Sequence, residues 1–213
     1  LEYAEVLWRT IKNAWCATSL FWFNVVDGRG PLSLRNSIRD HMLLMKWHGE
    51  RGIPVDGNDP YHWGLRDGHD AVVCAVSYIY AHVAKAMGVR DYISTYMFET
   101  PPNISNKMDL AKALAQIELT ESQQDAHFNV VRQTRTGLMS YPVDMDYAKG
   151  HLGSSVYLQM ALKPSIVHVV GYCEANHAAT PEDVIESCKM ARQVIQTALA
   201  GQPDMTADPE VQR

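Results

Sequence analysis

Apolar positions along this chain switch repeatedly between helical spacing and short continuous runs. Val6, Leu7, Ile11, Ala14 and Trp15 recur at three- and four-residue steps, as one buried helix face requires. "LFWFNVV" (Leu20 to Val26) then reads as a buried strand, rich in aromatic and branched residues and closed by "DGRGP". Helical spacing returns from Leu34 to Arg51 through Ile38, Met42 and Met45, and Gly52 supplies the stop. "IPVDGNDP" predicts a short strand and loop, followed by one long helix from about Leu65 to Met87 that ends at Gly88.

A third strand is expected at "DYISTYMF" (Asp91 to Phe98), with "ETPPNISN" as its loop and "KMDLAKALAQIEL" as a helix. The polar stretch Ser122 to Arg135 predicts a further helix, "TGLMSY" a fourth strand, and "MDYAKGHLGSSVYLQMAL" the next crossover. "SIVHVVGY" is the fifth strand. In "TPEDVIESC" Thr180 fits the N-cap, Pro181 the first turn, and Asp183 the position from which a carboxylate reaches back to the cap. Beyond Ala200 the pattern fades, so residues 201–213 are expected to form a loose tail or linker behind a structured portion 1–200.

Strict alternation of strands and helices predicts an α/β fold with right-handed crossovers and a parallel sheet. Five such units make either an open sheet or part of a parallel (β/α) barrel of TIM type, incomplete with about five β/α units of the eight such a barrel needs. The remaining strands would lie upstream or in another chain, and the absence of an initiator Met agrees with a sequence cut from something longer.

Composition narrows the partners. With 46% hydrophobic and 20% charged residues, a net charge of -5 and no basic block, the chain has no footprint for a phosphate backbone, so nucleic acid is not expected. The four cysteines, Cys16, Cys74, Cys173 and Cys188, are scattered without a C-x-x-C pair, which favours a reducing, cytoplasmic setting and gives no metal-ligand spacing. The most apolar stretch, from Ala71, contains His82 and Lys85 and is too polar to span a bilayer, so no membrane partner is expected.

Parallel α/β folds bind ligands at the carboxyl ends of their strands, so the residues just after each strand form one candidate rim. Asn24, Asp27 and Arg29 follow the first strand, and Asn58 and His62 follow the second. Tyr96 and Glu99 follow the third, Ser140 and Tyr141 the fourth, and Tyr172, Glu174 and His177 the fifth. Glu174 and His177 are the expected catalytic pair, because an acid and an imidazole at one strand end can exchange a proton near neutral pH; Tyr141 joins them. Arg29, between two glycines, suits a bidentate contact to a substrate carboxylate or phosphate, with Asn24, Asp27, Asn58 and His62 beside it. Tyr96, Glu99, Ser140 and Tyr172 are the expected cofactor contacts. No P-loop, dinucleotide fingerprint, H-E-x-x-H pair or G-x-S-x-G elbow occurs, and no metal site is expected.

The succession "GIPVDGNDPYHWGLRDGHDAV", "DYISTYMFETPP" and "GLMSYPVDMDYAKGHLGSSVYLQMALKPSIVHVVGYCEANHAATPEDVIESCKMARQVI" resembles the barrel of adenosylcobalamin-dependent mutases. The similarity is to the large catalytic subunits of lysine 5,6-aminomutase and ornithine aminomutase, and more distantly to that of glutamate mutase. It implies a cytoplasmic isomerase of amino acid metabolism that uses a radical mechanism on an amino acid or small acid. It also implies adenosylcobalamin as cofactor, pyridoxal phosphate as a second cofactor held mainly by another domain, and a homo- or hetero-oligomer that includes a separate cobalamin-binding domain or subunit. The D-x-H-x-x-G motif whose His ligates cobalt in that family does not occur in this chain. Two other readings stand beside this one: a non-catalytic cobalamin-binding module, and a (β/α)-barrel hydrolase or lyase using an acid-base pair.

Overall fold

A computed structural model describes all 213 residues. Helix α1 (Glu2–Thr10) precedes strand β1 (Cys16–Thr18), α2 (Leu34–Gly49), β2 (Val55–Gly57), α3 (Asp59–Gly64), α4 (Asp70–Ala86), β3 (Asp91–Phe98), α5 (Asn106–Glu121), β4 (Asn129–Thr136), α6 (Met145–Gln159), β5 (Ile166–His168) and α7 (Pro181–Leu199). The strands form one five-stranded sheet in the order β1-β2-β3-β4-β5. Pairing is parallel, with Asp56 opposite Ala17 and Ile93, and Thr134 opposite Val167. The α/β class and the parallel sheet are therefore as the pattern predicted. No helix is long and apolar enough to cross a membrane.

By contact density the chain divides into two compact units, and the division passes through β3, α5 and β4. Unit 1 comprises residues 1–63, 68–95 and 116–131. Its core gathers Leu20, Met45, Val55, Tyr80, Tyr92 and Phe128, all nearly inaccessible to solvent. The rings of Tyr80, Tyr92 and Phe128 stack at centroid separations of 5.7 and 5.9 Å. Each such ring contributes roughly 1.5–3 kcal/mol by burial. Gly57 makes this packing feasible, because a Cβ there would fall 2.5 Å from the Tyr92 hydroxyl and 2.8 Å from the Tyr80 ring.

Unit 2 comprises residues 64–67, 96–115 and 132–213. Tyr141, Ala148, Leu152, Val156, Val170, Tyr172 and Ala191 form its core, where α6 packs along α7. The first turn of α7 carries the expected capping box: the Thr180 hydroxyl accepts from Asp183 N–H while the Asp183 carboxylate accepts from Thr180 N–H.

Several expectations fail for identifiable reasons. "LFWFNVV" is not a strand; β1 ends before it, at Thr18. Side chains fold the segment into turns instead: Asn24 donates to Phe21 O and accepts from Val26 N–H, and Asp27 accepts from the N–H groups of Phe23 and Asn24. Asp59 accepts from Ser19 Oγ and the Leu20 and Phe21 amides, fixing the chain as it leaves β1. The helix expected over Ser122 to Arg135 is strand β4 from Asn129, preceded by a turn in which Asp125 accepts from His127 and Phe128 N–H; "TGLMSY" is a tight turn rather than a strand. The helix expected from Leu65 begins only at Asp70, because residues 65–69 form a turn in which Asp67 takes a positive φ of 55°. Residues 201–213 also carry more order than a loose tail: Val211 is buried, and Lys107 pairs with Asp208 and Glu210.

Candidate functional site

Unit 2 brings together three polar side chains at the carboxyl ends of β3 and β4. His151 Nε2 lies 3.0 Å from Glu99 Oε2 and 2.9 Å from Ser140 Oγ. Glu99 and His151 are partly accessible, at 14% and 20% of their side-chain surface, so the cluster faces outward from a buried base. The Tyr141 ring packs edge-on against the imidazole at 5.1 Å.

The backbone of Glu99 is held in an unusual conformation. Its φ of 54° lies in the left-handed region, which costs a non-glycine residue on the order of 1–3 kcal/mol. The cost is met by α5: the Asp109 carboxylate accepts the Glu99 N–H, and Lys112 Nζ donates to Thr100 O. Asp109 and Lys112 are themselves buried and ion-paired at 3.3 Å, one helical turn apart. Burial pushes the Asp109 carboxyl up to about 6, outweighing the opposite pull of Lys112 and of the Glu99 amide. From the other side Gly137 N–H donates to Phe98 O, and a Cβ at Gly137 would fall 2.5 Å from Thr100 Oγ1 and 2.9 Å from Glu99 O.

The proton directions decide the chemistry. Ser140 Oγ lies 2.7 Å from Gly137 O and 3.4 Å from Glu99 Oε2, so its hydrogen goes to the carbonyl. The serine is then an acceptor, and Nε2–H of His151 is the donor shared between Ser140 and Glu99. A serine nucleophile needs its base nitrogen facing the hydroxyl and the acid on the other ring nitrogen. Here serine and glutamate meet the same nitrogen, so the cluster is not a hydrolase triad. Both contacts to Glu99 use Oε2, which leaves Oε1 for an incoming donor.

The other predicted residues fall into distinct settings. Tyr141 is buried, and its hydroxyl donates to Val170 O; burial first, then the Glu99 and Glu174 charges, push the phenol upward. Tyr96 is fully buried in β3. The Tyr172 hydroxyl donates to Glu186 Oε2 at 2.5 Å and lies 3.0 Å from Asp183 Oδ1; Glu186 first, then burial and Asp183, push the phenol upward. Glu174 is exposed and does not meet His177: the imidazole lies 2.9 Å from Asn176 Oδ1 and 3.0 Å from Asp183 Oδ2. The expected Glu174–His177 acid-base pair is thus replaced by a His177–Asp183 pair.

In unit 1, Arg29 Nε donates to Asp27 at 2.6 Å and its guanidinium stacks 4.0 Å above Phe23. Burial pulls the Asp27 carboxyl upward, but the Phe23 and Asn24 amides and Arg29 outweigh it and hold it below the usual range. Asn24 is fully buried with its amide engaged inside the same turn. These three build a loop rather than a binding face. His62 packs among Trp22, Phe23 and Tyr61, and Asn58 Oδ1 is buried without a hydrogen-bond partner. A cavity of about 480 Å³ lies elsewhere in unit 2, between the start of α5 and residues 204–211.

His151, Asp109 and Lys112 were not expected from the sequence, because all three sit inside helices. The i, i+3 spacing of Asp109 and Lys112 was the available signal for that pair. No protein-family model matches this sequence, and no curated protein matches it.

Proposed function

We propose that this chain is the substrate-holding part of a small-molecule isomerase of the adenosylcobalamin-dependent mutase kind, its five parallel strands belonging to an eight-stranded barrel. The observation that carries the reading is Glu99: a carboxylate at a strand end, fixed in a strained backbone by a buried Asp109–Lys112 clamp, with one oxygen open. A strained residue supported on this scale is characteristic of a site rather than of packing. Its charge suits the ammonium of an amino acid, and His151 Nε2–H holds the carboxylate in place while Ser140 fixes the imidazole.

The cofactor contacts expected of this chain fit less well. The hydroxyls of Tyr141 and Tyr172 are engaged internally and Tyr96 is fully buried, so of that set only Glu99 and Ser140 offer accessible polar atoms. Lys112 is ion-paired inside the protein and is not presented to a phosphate or an aldehyde. The side chains of this chain do not form a corrin or pyridoxal phosphate cradle by themselves. In this reading both groups are held by a separate domain or subunit.

The test is calorimetric titration with lysine, ornithine and glutamate, each beside its deaminated analogue. Saturable binding that requires the amino group and weakens at least about tenfold in Glu99→Gln supports the reading. Equal binding of the deaminated analogues would remove the amino acid assignment. A difference absorption titration against adenosylcobalamin in the dark, with and without a cobalamin-domain partner, then separates a mutase component from a cobalamin-independent lyase.

A further inference from the structure

The corner between β5 and α7 holds a second cluster, separate from Glu99. Cys173, His177 and Asp183 bring one ligand atom each to within 4.8 Å of one another. Cys173 and Asp183 are buried, and the His177 side chain keeps 41% of its surface in solvent. All three come from one eleven-residue segment that turns and enters a helix.

The hydrogen bonds of His177 leave a gap that a cation would fill. Asn176 Nδ2 donates to Val143 O, which turns Asn176 Oδ1 toward His177 Nδ1 at 2.9 Å. His177 Nε2 meets Asp183 Oδ2 at 3.0 Å, and that oxygen already accepts from Thr180 N–H and Thr180 Oγ1. Both ring nitrogens therefore face acceptors, whereas a neutral imidazole carries one proton. With that proton on Nδ1, toward Asn176, the Nε2 lone pair faces the Asp183 carboxylate and is free to ligate a cation that the carboxylate also holds. The thiol of Cys173 lies at the same place.

We propose that Cys173 Sγ, His177 Nε2 and Asp183 Oδ2 form a zinc-type divalent cation site. Thiolate, imidazole and carboxylate are the donor set of Zn²⁺, and three protein ligands leave a fourth position for water on the exposed His177 side. Asn176 supplies the orienting contact to the non-ligating ring nitrogen that metal-bound histidines commonly have. Thr180 fixes the Asp183 carboxylate through hydrogen bonds to Oδ2 itself, and the N-terminus of α7 favours the negative charge that the thiolate and carboxylate bring. The alternative is a proton on His177 Nε2 donated to Asp183, which makes the corner a plain hydrogen-bonded pair.

Cobalt(II) titration of the full chain under reducing conditions distinguishes the two. The expected result is one equivalent bound, with thiolate-to-cobalt charge-transfer absorption in the near ultraviolet and tetrahedral visible bands, displaced by zinc. Cys173→Ser should abolish the charge-transfer band, and Asn176→Ala should weaken binding about 10–100-fold. His177→Gln, which can still donate to Asp183, controls for folding by circular dichroism and should lose stoichiometric binding. Absence of the band from the folded wild-type chain, or its persistence in Cys173→Ser, overturns the proposal.

Discussion

Glu99 Oε2 and His151 Nε2 stand 3.0 Å apart, although the two residues are 52 positions apart in the chain and belong to different βα segments. The end of β3 supplies the carboxylate, and α6, the helix that follows β4, supplies the imidazole. Exchanging Glu99 for Gln keeps the size and removes the charge, so binding of an amino-bearing ligand should fall at least about tenfold while the melting temperature changes little. Glu99→Gly should lose the same binding without loss of stability, because glycine adopts φ of 54° freely. A melting temperature that drops sharply in Glu99→Gly would show that the residue is chiefly structural.

Gly137 sets the space behind that carboxylate. A methyl group there meets Phe98 O at 2.8 Å and Glu99 O at 2.9 Å, both backbone atoms that cannot swing aside. Gly137→Ala should cost about 1–3 kcal/mol in urea unfolding and impair ligand binding together. Stability lost with binding intact would mean that the Glu99 turn tolerates displacement.

The Asp109–Lys112 pair is buried on α5, and removing one partner leaves the other charge uncompensated. Lys112→Ala should therefore destabilise by about 3–5 kcal/mol, measured by chemical denaturation. Lys112→Ala with Asp109→Ala should recover part of that loss, since no lone charge remains. A purely additive double variant would contradict direct coupling between them.

Asp59 connects stability to pH. Burial raises its carboxyl to about 6 against the hydrogen bonds of Ser19, Leu20 and Phe21. The folded state then holds the proton more tightly than the unfolded chain, so this contribution is complete below about pH 4 and is lost as pH rises through 6. Asp109 acts in the same window and direction. Between pH 4.5 and 7 the unfolding free energy of wild type should fall, by on the order of 2 kcal/mol from Asp59, and Asp59→Asn should flatten the slope. Identical pH profiles for the two proteins would refute the assignment.

Local signals in the sequence were sufficient for the elements whose residues all agree. β3 was legible at its observed bounds, Asp91 to Phe98, because a run of aromatic and branched residues ends at a helix signal on both sides. The N-terminus of α7 was legible because Thr180, Pro181 and Asp183 each act on neighbours within three residues. The parallel α/β class followed from alternation alone.

Tertiary structure decided the rest. "LFWFNVV" carries strand composition, yet Asn24, Asp27 and the distant Asp59 satisfy its amides as turns, and no local rule weighs an acceptor supplied from 39 residues away. β4 is written with Arg132, Gln133, Thr134 and Arg135, residues that read as a polar helix until a parallel neighbour takes up their backbone groups. At the candidate site the sequence placed Glu99 at the end of β3, whereas Ser140, read with a strand at "TGLMSY", lies in the turn that follows β4. The sequence could not show His151, because a histidine inside a helix becomes a partner only when packing turns that helix face toward the strand end. The same limit separates Glu174 from Asp183 as the partner of His177: proximity along the chain favoured the first, and the geometry of the helix cap selected the second.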